Sequence, residues 1–178
     1  MTHRLFVAIK PPPHVIDRLI DTMEGVDNAR WQSQEQLHLT LRFAGEVDTP
    51  LANDLADALG QIRSPAFDLE MRGVGHFEKK GKPHTLWAGV AHSPALLTLQ
   101  KSVESACRSA GIAQEKRVFA PHVTLARLSG SAGAIAPFLV EHAALRTDTF
   151  RVERFFLYES TLTPKGSQYD PVVAYPLR

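Results

Sequence analysis

Two tetrapeptides hold the residues best suited to acid–base chemistry, His38-Leu39-Thr40-Leu41 and its echo His122-Val123-Thr124-Leu125. In an extended strand the side chains alternate, so each His shares a face with the Thr two residues on, and the apolar residue between them turns away. Each copy then offers one imidazole beside one hydroxyl. A lone His-x-Thr in a chain with eight histidines reads as readily as a ring satisfied by a neighbouring hydroxyl. Recurrence at matching places in the two halves favours a functional role. Imidazole titrates near pH ~6.5, so at neutral pH one ring can accept a proton while the other donates one. In-line attack of water on a phosphodiester needs those two roles on opposite sides of phosphorus, with hydroxyls stabilising the charge on the non-bridging oxygens. The pair therefore reads as a metal-free phosphoesterase site.

Two arginines are candidates for neutralising the phosphate. Arg42 keeps the parity of His38 and Thr40, which predicts the cleft face, with a surface ion pair as its alternative. Arg127 has the opposite parity to Thr124 and reaches the site only if its strand bends or ends there. No His-Glu-x-x-His, acidic metal-binding loop or cysteine cluster occurs, so neither a metal nor a cofactor is expected. Phe77, Phe119, Trp31 and Trp87 are candidates for stacking a terminal base. Trp87 sits inside an apolar strand and reads as core. His76 and His84 flank Lys79-Lys80-Gly81-Lys82, a stretch that either steers an RNA end or is simply solvated.

The elements that position these residues follow from hydrophobic periodicity. Leu5 to Ile9 is a continuous apolar run stopped by Pro11-Pro12-Pro13, and Val15, Ile16, Leu19, Ile20 and Met23 then recur at helical spacing as far as Gly25. Leu37 to Phe43 reads as extended, Gly45 to Thr49 as a loop, and Thr49-Pro50 as a cap-then-proline helix start ending before Pro65. Phe67, Leu69 and Met71 alternate with charged residues, a half-buried strand. Gly73 to His84 reads as a loop. The order then repeats: strand Leu86 to Val90, a helix from Ser93-Pro94 to Gly111, strand Pro121 to Leu128, a short helix around Phe138, and strand Phe150 to Tyr158. Leu5 to Leu86, His38 to His122 and Phe67 to Phe150 are displaced by 81, 84 and 83 positions. These displacements suggest tandem strand-helix-strand-helix-strand units over about 3–79 and 84–160, with 172–177 as a closing strand. Two mostly antiparallel sheets with helices outside, related by a pseudo-twofold, would bring the motif strands together.

With 178 residues, 44% hydrophobic, the chain can bury the core of one domain, spanning 1–178. A net charge of +1 excludes a general polycation, so any RNA contact must come from a local patch. The single cysteine, Cys107, falls in a helical apolar pattern and reads as core packing in a reducing compartment. The N-terminal apolar run is too short for a signal or a membrane span, so a cytoplasmic protein is expected.

In Arg4-Leu5-Phe6-Val7-Ala8-Ile9, Leu37-His38-Leu39-Thr40-Leu41-Arg42-Phe43, Leu86-Trp87-Ala88-Gly89-Val90, Pro121-His122-Val123-Thr124-Leu125-Ala126-Arg127, Leu157-Tyr158-Glu159-Ser160 and Tyr175-Pro176-Leu177 the chain resembles the 2H phosphoesterase superfamily. Within it, the chain is most similar to the RNA 2′,3′-cyclic phosphodiesterases once called 2′-5′ RNA ligases. The resemblance implies a bilobal α+β fold and opening of a terminal 2′,3′-cyclic phosphate to a 2′-phosphate. It further implies His38 as proton donor, His122 as acceptor, Thr40 and Thr124 on the phosphate, and Arg127 assisting, with an irregular strand end to bring Arg127 in. Arg42, Phe43 and Phe77 complete the expected substrate contacts. The expected partner is RNA with a 2′,3′-cyclic phosphate end, or a cyclic nucleotide, met by a monomer away from membranes. Two rivals stand beside hydrolysis: ATP-independent, reversible 2′-5′ ligation, and a non-catalytic RNA-end binding module.

Overall fold

The computed structural model describes residues 1–178. Apolar runs and caps generate ten strands and four helices: β1 Thr2–Ile9, α1 Pro13–Ile20, β2 Arg30–Trp31, β3 Leu39–Asp48, α2 Thr49–Gly60, β4 Phe67–Leu69, β5 Met71–Lys79, β6 Lys82–Val90, α3 Pro94–Ser109, β7 His122–Arg127, α4 Ala136–Glu141, β8 Phe150–Val152, β9 Arg154–Thr163 and β10 Gly166–Pro176. The class is α+β, as expected. No helix is long and apolar enough to cross a membrane.

The two expected sheets are one. Seven strands run in the order β10-β9-β1-β3-β7-β6-β5, β2 adds beside β7, and every pairing is antiparallel. The strands do not segregate by half of the sequence. β5 pairs with β6 of the second half, β9 pairs with β1 of the first, and β4 and β8 form a separate small ribbon. At the middle of the sheet β3 and β7 meet through the single pair Leu39↔Val123. That narrow seam brings the two motifs together.

One face of the sheet carries the main core. Leu5, Val7 and Ile9 of β1 pack there with Val15 and Leu19 of α1, Leu55 and Leu59 of α2, and Leu99 and Val103 of α3. Each helix has its apolar stripe on that side, which is where most of the stabilising burial lies. The other face holds a separate small cluster, Phe6, Ala8 and Tyr158, with Phe156 and Tyr169 packed against it and no helical residue among them. A helix-free sheet face lined with aromatic rings is the floor of the cleft.

Local expectations fail at several places, beginning with the runs 67–71 and 150–158, each divided between the small ribbon and the main sheet, and the closing strand, which starts at Gly166. β3 continues through Gly45 to Asp48 where a loop was read, because β1 is long enough to pair with it as far as Thr2↔Asp48. The cap of α2 is consequently Asp48, whose carboxylate accepts the Leu51 N–H, while Thr49 already belongs to the first turn. Gly73 to His84 is a hairpin rather than a loop: Lys79 pairs with Lys82 around Lys80-Gly81, both at positive φ (54° and 76°), the two-residue turn whose twist matches the flanking strands. In α1 the helical pattern is cut short at Ile20, beyond which the Thr22 hydroxyl donates back to the Leu19 carbonyl.

Candidate active site

The seam fixes the geometry of the motifs. Leu39 and Val123, paired across it, both point into the core. By alternation His38, Thr40, His122 and Thr124 all stand on the opposite face, with His38 across from Thr124 and Thr40 across from His122. The two imidazoles are then diagonal neighbours, with Cβ atoms about 7 Å apart. A phosphate group fits between rings so spaced.

Both rings are held in the same way. His38 Nδ1–H donates to the Gln36 carbonyl at 2.7 Å, and His122 Nδ1–H donates to the Ala120 carbonyl at 2.7 Å. A carbonyl can only accept, so each bond commits Nδ1 as the donor and leaves Nε2 free to take or give a proton. Aromatic rings fix their planes. His38 lies against Phe6 (centroids 4.8 Å apart) and the edge of Tyr169 (5.1 Å), and His122 against Phe77 (4.8 Å, interplanar 89°) and Trp87 (6.3 Å). Burial disfavours the charged form of both. It pushes His38 down to about 4, with Lys10, Arg127 and His122 adding like-charge repulsion, and lowers His122 as well, with Arg127 adding to the effect.

The arginines are sorted by two bulges. In β3, Thr40 pairs with Ala8 and Arg42 with Val7, so Leu41 is an extra residue that breaks the alternation. Arg42 therefore turns to the core face, contrary to the parity expectation. It is only 6% exposed, and its guanidinium binds the Glu104 carboxylate at 2.5 Å and the carbonyls of Phe43 and Ala113. In β7 the extra residue is Leu125, since Thr124 pairs with Trp87 and Ala126 with Leu86. This bulge is the irregularity expected near the strand end, and it returns Arg127 to the cleft face, where Nη1 lies 3.4 Å from the Thr85 hydroxyl. Phe43 takes the corresponding place on β3, three residues after its threonine, and is 39% exposed on the cleft side.

A cleft of about 410 Å³ opens beside the motifs, lined by Thr40, Phe43, Phe77, His84, Phe119 and His122, with Arg117 and Val118 on its rim; Arg42, although tied to Glu104, also reaches its wall. Phe43, Phe77 and Phe119 thus gather in one cavity. Trp31 does not: it pairs with Ala126 on the core side and packs against Phe138. Trp87 is not core as read from its neighbours, because the bulge sets it opposite Thr124 on the cleft face. Its ring lies flat on Gly75, where an added Cβ would come within 2.3 Å of the indole. Gly75→Ala is accordingly expected to displace Trp87 and cost about 1–3 kcal/mol, with a red-shifted tryptophan emission and a lower denaturation midpoint as the readouts.

Three contributors gave no readable signal in the sequence. Lys10 donates to three carbonyls just ahead of His38, Tyr169 arrives from the distant β10, and Arg30 pairs directly with Arg127 across β2 and β7. Like charges directly opposite in a sheet repel. Neither arginine has a carboxylate within ion-pair distance among the salt bridges of the fold.

Fold and site together define an antiparallel α+β protein whose central seam presents two imidazoles, two hydroxyls and a guanidinium on one aromatic-floored face. The profile of the 2′-5′ RNA ligase superfamily matches residues 11–163, and the chain belongs to that family. It is 36% identical over 138 residues to an RNA 2′,3′-cyclic phosphodiesterase of Aeropyrum pernix, covering 76% of this chain and 78% of that one. With the protein of the same name from Thermotoga maritima it shares 32% identity, covering 93% of this chain and 91% of the relative. Among solved structures it superposes on a Thermus thermophilus protein with a TM-score of 0.83 at 27% identity, covering 98% of both chains. Escherichia coli LigT complexed with 3′-AMP gives a TM-score of 0.80 at 26% identity, covering 99% of both chains.

Proposed function

We propose that this chain hydrolyses the 2′,3′-cyclic phosphate ends of RNA or nucleotides to 2′-phosphomonoesters. The reading rests on one observation above the rest: two imidazoles with matched Nδ1 anchors leave both Nε2 atoms free on the same face of one seam. His122 takes the proton of the attacking water. His38 gives its proton to the departing 3′-oxygen. Thr40 and Thr124 donate to the non-bridging oxygens, and Arg127 balances the charge that accumulates on them. The names carried by the relatives support the substrate class. So do the ring-lined cleft, in which Phe43 and Phe77 can stack a base, and the Arg30/Arg127 edge, which suits a phosphate backbone.

Ligation follows from the same groups. If a 5′-hydroxyl replaces water, the same proton transfers, from that hydroxyl to His122 and from His38 to the departing 3′-oxygen, form a 2′-5′ linkage without ATP, limited by equilibrium. Incubation with an oligonucleotide ending in a 2′,3′-cyclic phosphate tests the primary reading, the expected product being a 2′-phosphate. A 3′-phosphate, or no turnover, would overturn it. Because both proton transfers are assigned to side chains, excess chelator is expected to leave the rate intact, and a metal-restorable loss would count against the mechanism.

A further inference from the structure

The two histidines are held so alike that something must make one of them the acid. Continuing the β1·β3 register one residue past Ile9↔Leu39 sets Lys10 opposite His38. The place opposite His122 is occupied by Gly89, which has no side chain and no room for one, since an added Cβ would lie 2.6 Å from the Arg72 carbonyl oxygen. The Lys10 ammonium donates to the carbonyls of Gln34 (2.8 Å), Glu35 (3.2 Å) and Leu37 (2.8 Å), so all three of its protons are spent on the turn that supplies the Gln36 carbonyl to His38. It has no proton left for a substrate oxygen.

We propose that Lys10 is the positioning residue that makes the two imidazoles inequivalent, by clamping the turn that anchors His38 and by setting a fixed cation beside that ring alone. A cation there disfavours protonated His38, so in the free site a single proton rests on His122, and His38 takes up the donor role assigned above only when the bound phosphodiester anion raises its midpoint; that role rests on the proposed hydrolysis, whereas the inequivalence does not. The charged or titratable groups around His38 are Lys10, Arg127 and His122, with Tyr169 at its edge and Glu35 beside Lys10. Burial lowers both histidines and Arg127 acts on both, whereas Lys10 is the fixed cation that stands against one of them. Lys10 acts on His38.

The test is a titration of the two Nε2 resonances by nitrogen NMR, which needs no substrate. In the unmodified chain His38 is expected to titrate below His122. In Lys10→Met the His38 midpoint is expected to rise by roughly one unit while that of His122 stays in place, and Lys10→Arg is expected to restore the separation. In turnover assays the same neutral variant would shift the pH profile without a matching change in KM. Coincident midpoints in the unmodified chain, or a Lys10→Met variant in which His38 does not move or both rings move equally, would overturn the proposal. The first of these outcomes requires no variant to fold.

Discussion

Alanine in place of either His38 or His122 is expected to lower kcat/KM by about 10²–10⁴-fold in protein that remains folded. Each ring's Nδ1 is already committed to a carbonyl, so its Nε2 is the atom lost to the reaction. The double variant is expected to be little worse than either single one, because acid and base act in one proton-transfer sequence. If either pure, folded alanine variant kept the full rate, the two-imidazole mechanism would be wrong. The pH profile carries the sign of the burial. Above both midpoints the free protein has two neutral rings, so the fraction with one ring charged and one neutral grows as pH falls. The profile of kcat/KM is therefore expected to peak on the acid side of 6.5 and to fall again as the second ring protonates. A bound phosphodiester anion raises both midpoints, so the kcat profile is expected to peak at higher pH. Stability follows the same sign. His38 titrates lower in the folded chain than unfolded, so stability present above about 6.5 is lost as pH falls toward about 4, and His38→Ala is expected to remove that part of the acid sensitivity.

How much of this was legible in the sequence depends on whether it was local. The His-x-Thr pairs could be read because alternation is a property of a single strand, and the seam honours it: Leu39 and Val123 go to the core and the His and Thr side chains of both motifs to the other face. The bulges could not be read. Leu41 and Leu125 become extra residues only because their neighbours on β1 and β6 pair around them, and nothing in Thr40-Leu41-Arg42 announces it. The same is true of the exchange of β5 and β9 between the halves and of the single pair Leu39↔Val123, which joins two expected sheets into one. The Lys80-Gly81 turn was hidden by a lysine at a position where asparagine or aspartate is the usual signal. Lys10 and Tyr169 are remote from His38 in sequence and meet it through the fold alone. The family resemblance made up for one of these gaps, since it called for Arg127 against simple parity.

Arg42 and Arg127 make that distinction measurable. Arg127 is exposed at the strand end, where it contacts the Thr85 hydroxyl at 3.4 Å and acts on both imidazoles. Arg127→Met is expected to cost about 10²–10³-fold in kcat, as for the loss of a donor to developing charge. Its unfolding midpoint should change little, since exposed substitutions away from special features stay within about 0.5 kcal/mol. Arg42 should behave in the opposite way. It joins β3 to α3 and to the segment after it, and the Glu104 carboxylate it holds also accepts the Glu115 N–H. Arg42→Met would leave Glu104 without its cation at a largely buried position, and removing one partner of such a pair typically costs about 3–5 kcal/mol. Denaturant unfolding and steady-state kinetics on the two variants therefore give crossed results, rate lost in one and stability in the other. If Arg42→Met instead kept its midpoint and lost rate as Arg127→Met does, the guanidinium of Arg42 would be on the phosphate after all. The bulge at Leu41 would then not explain where that side chain goes.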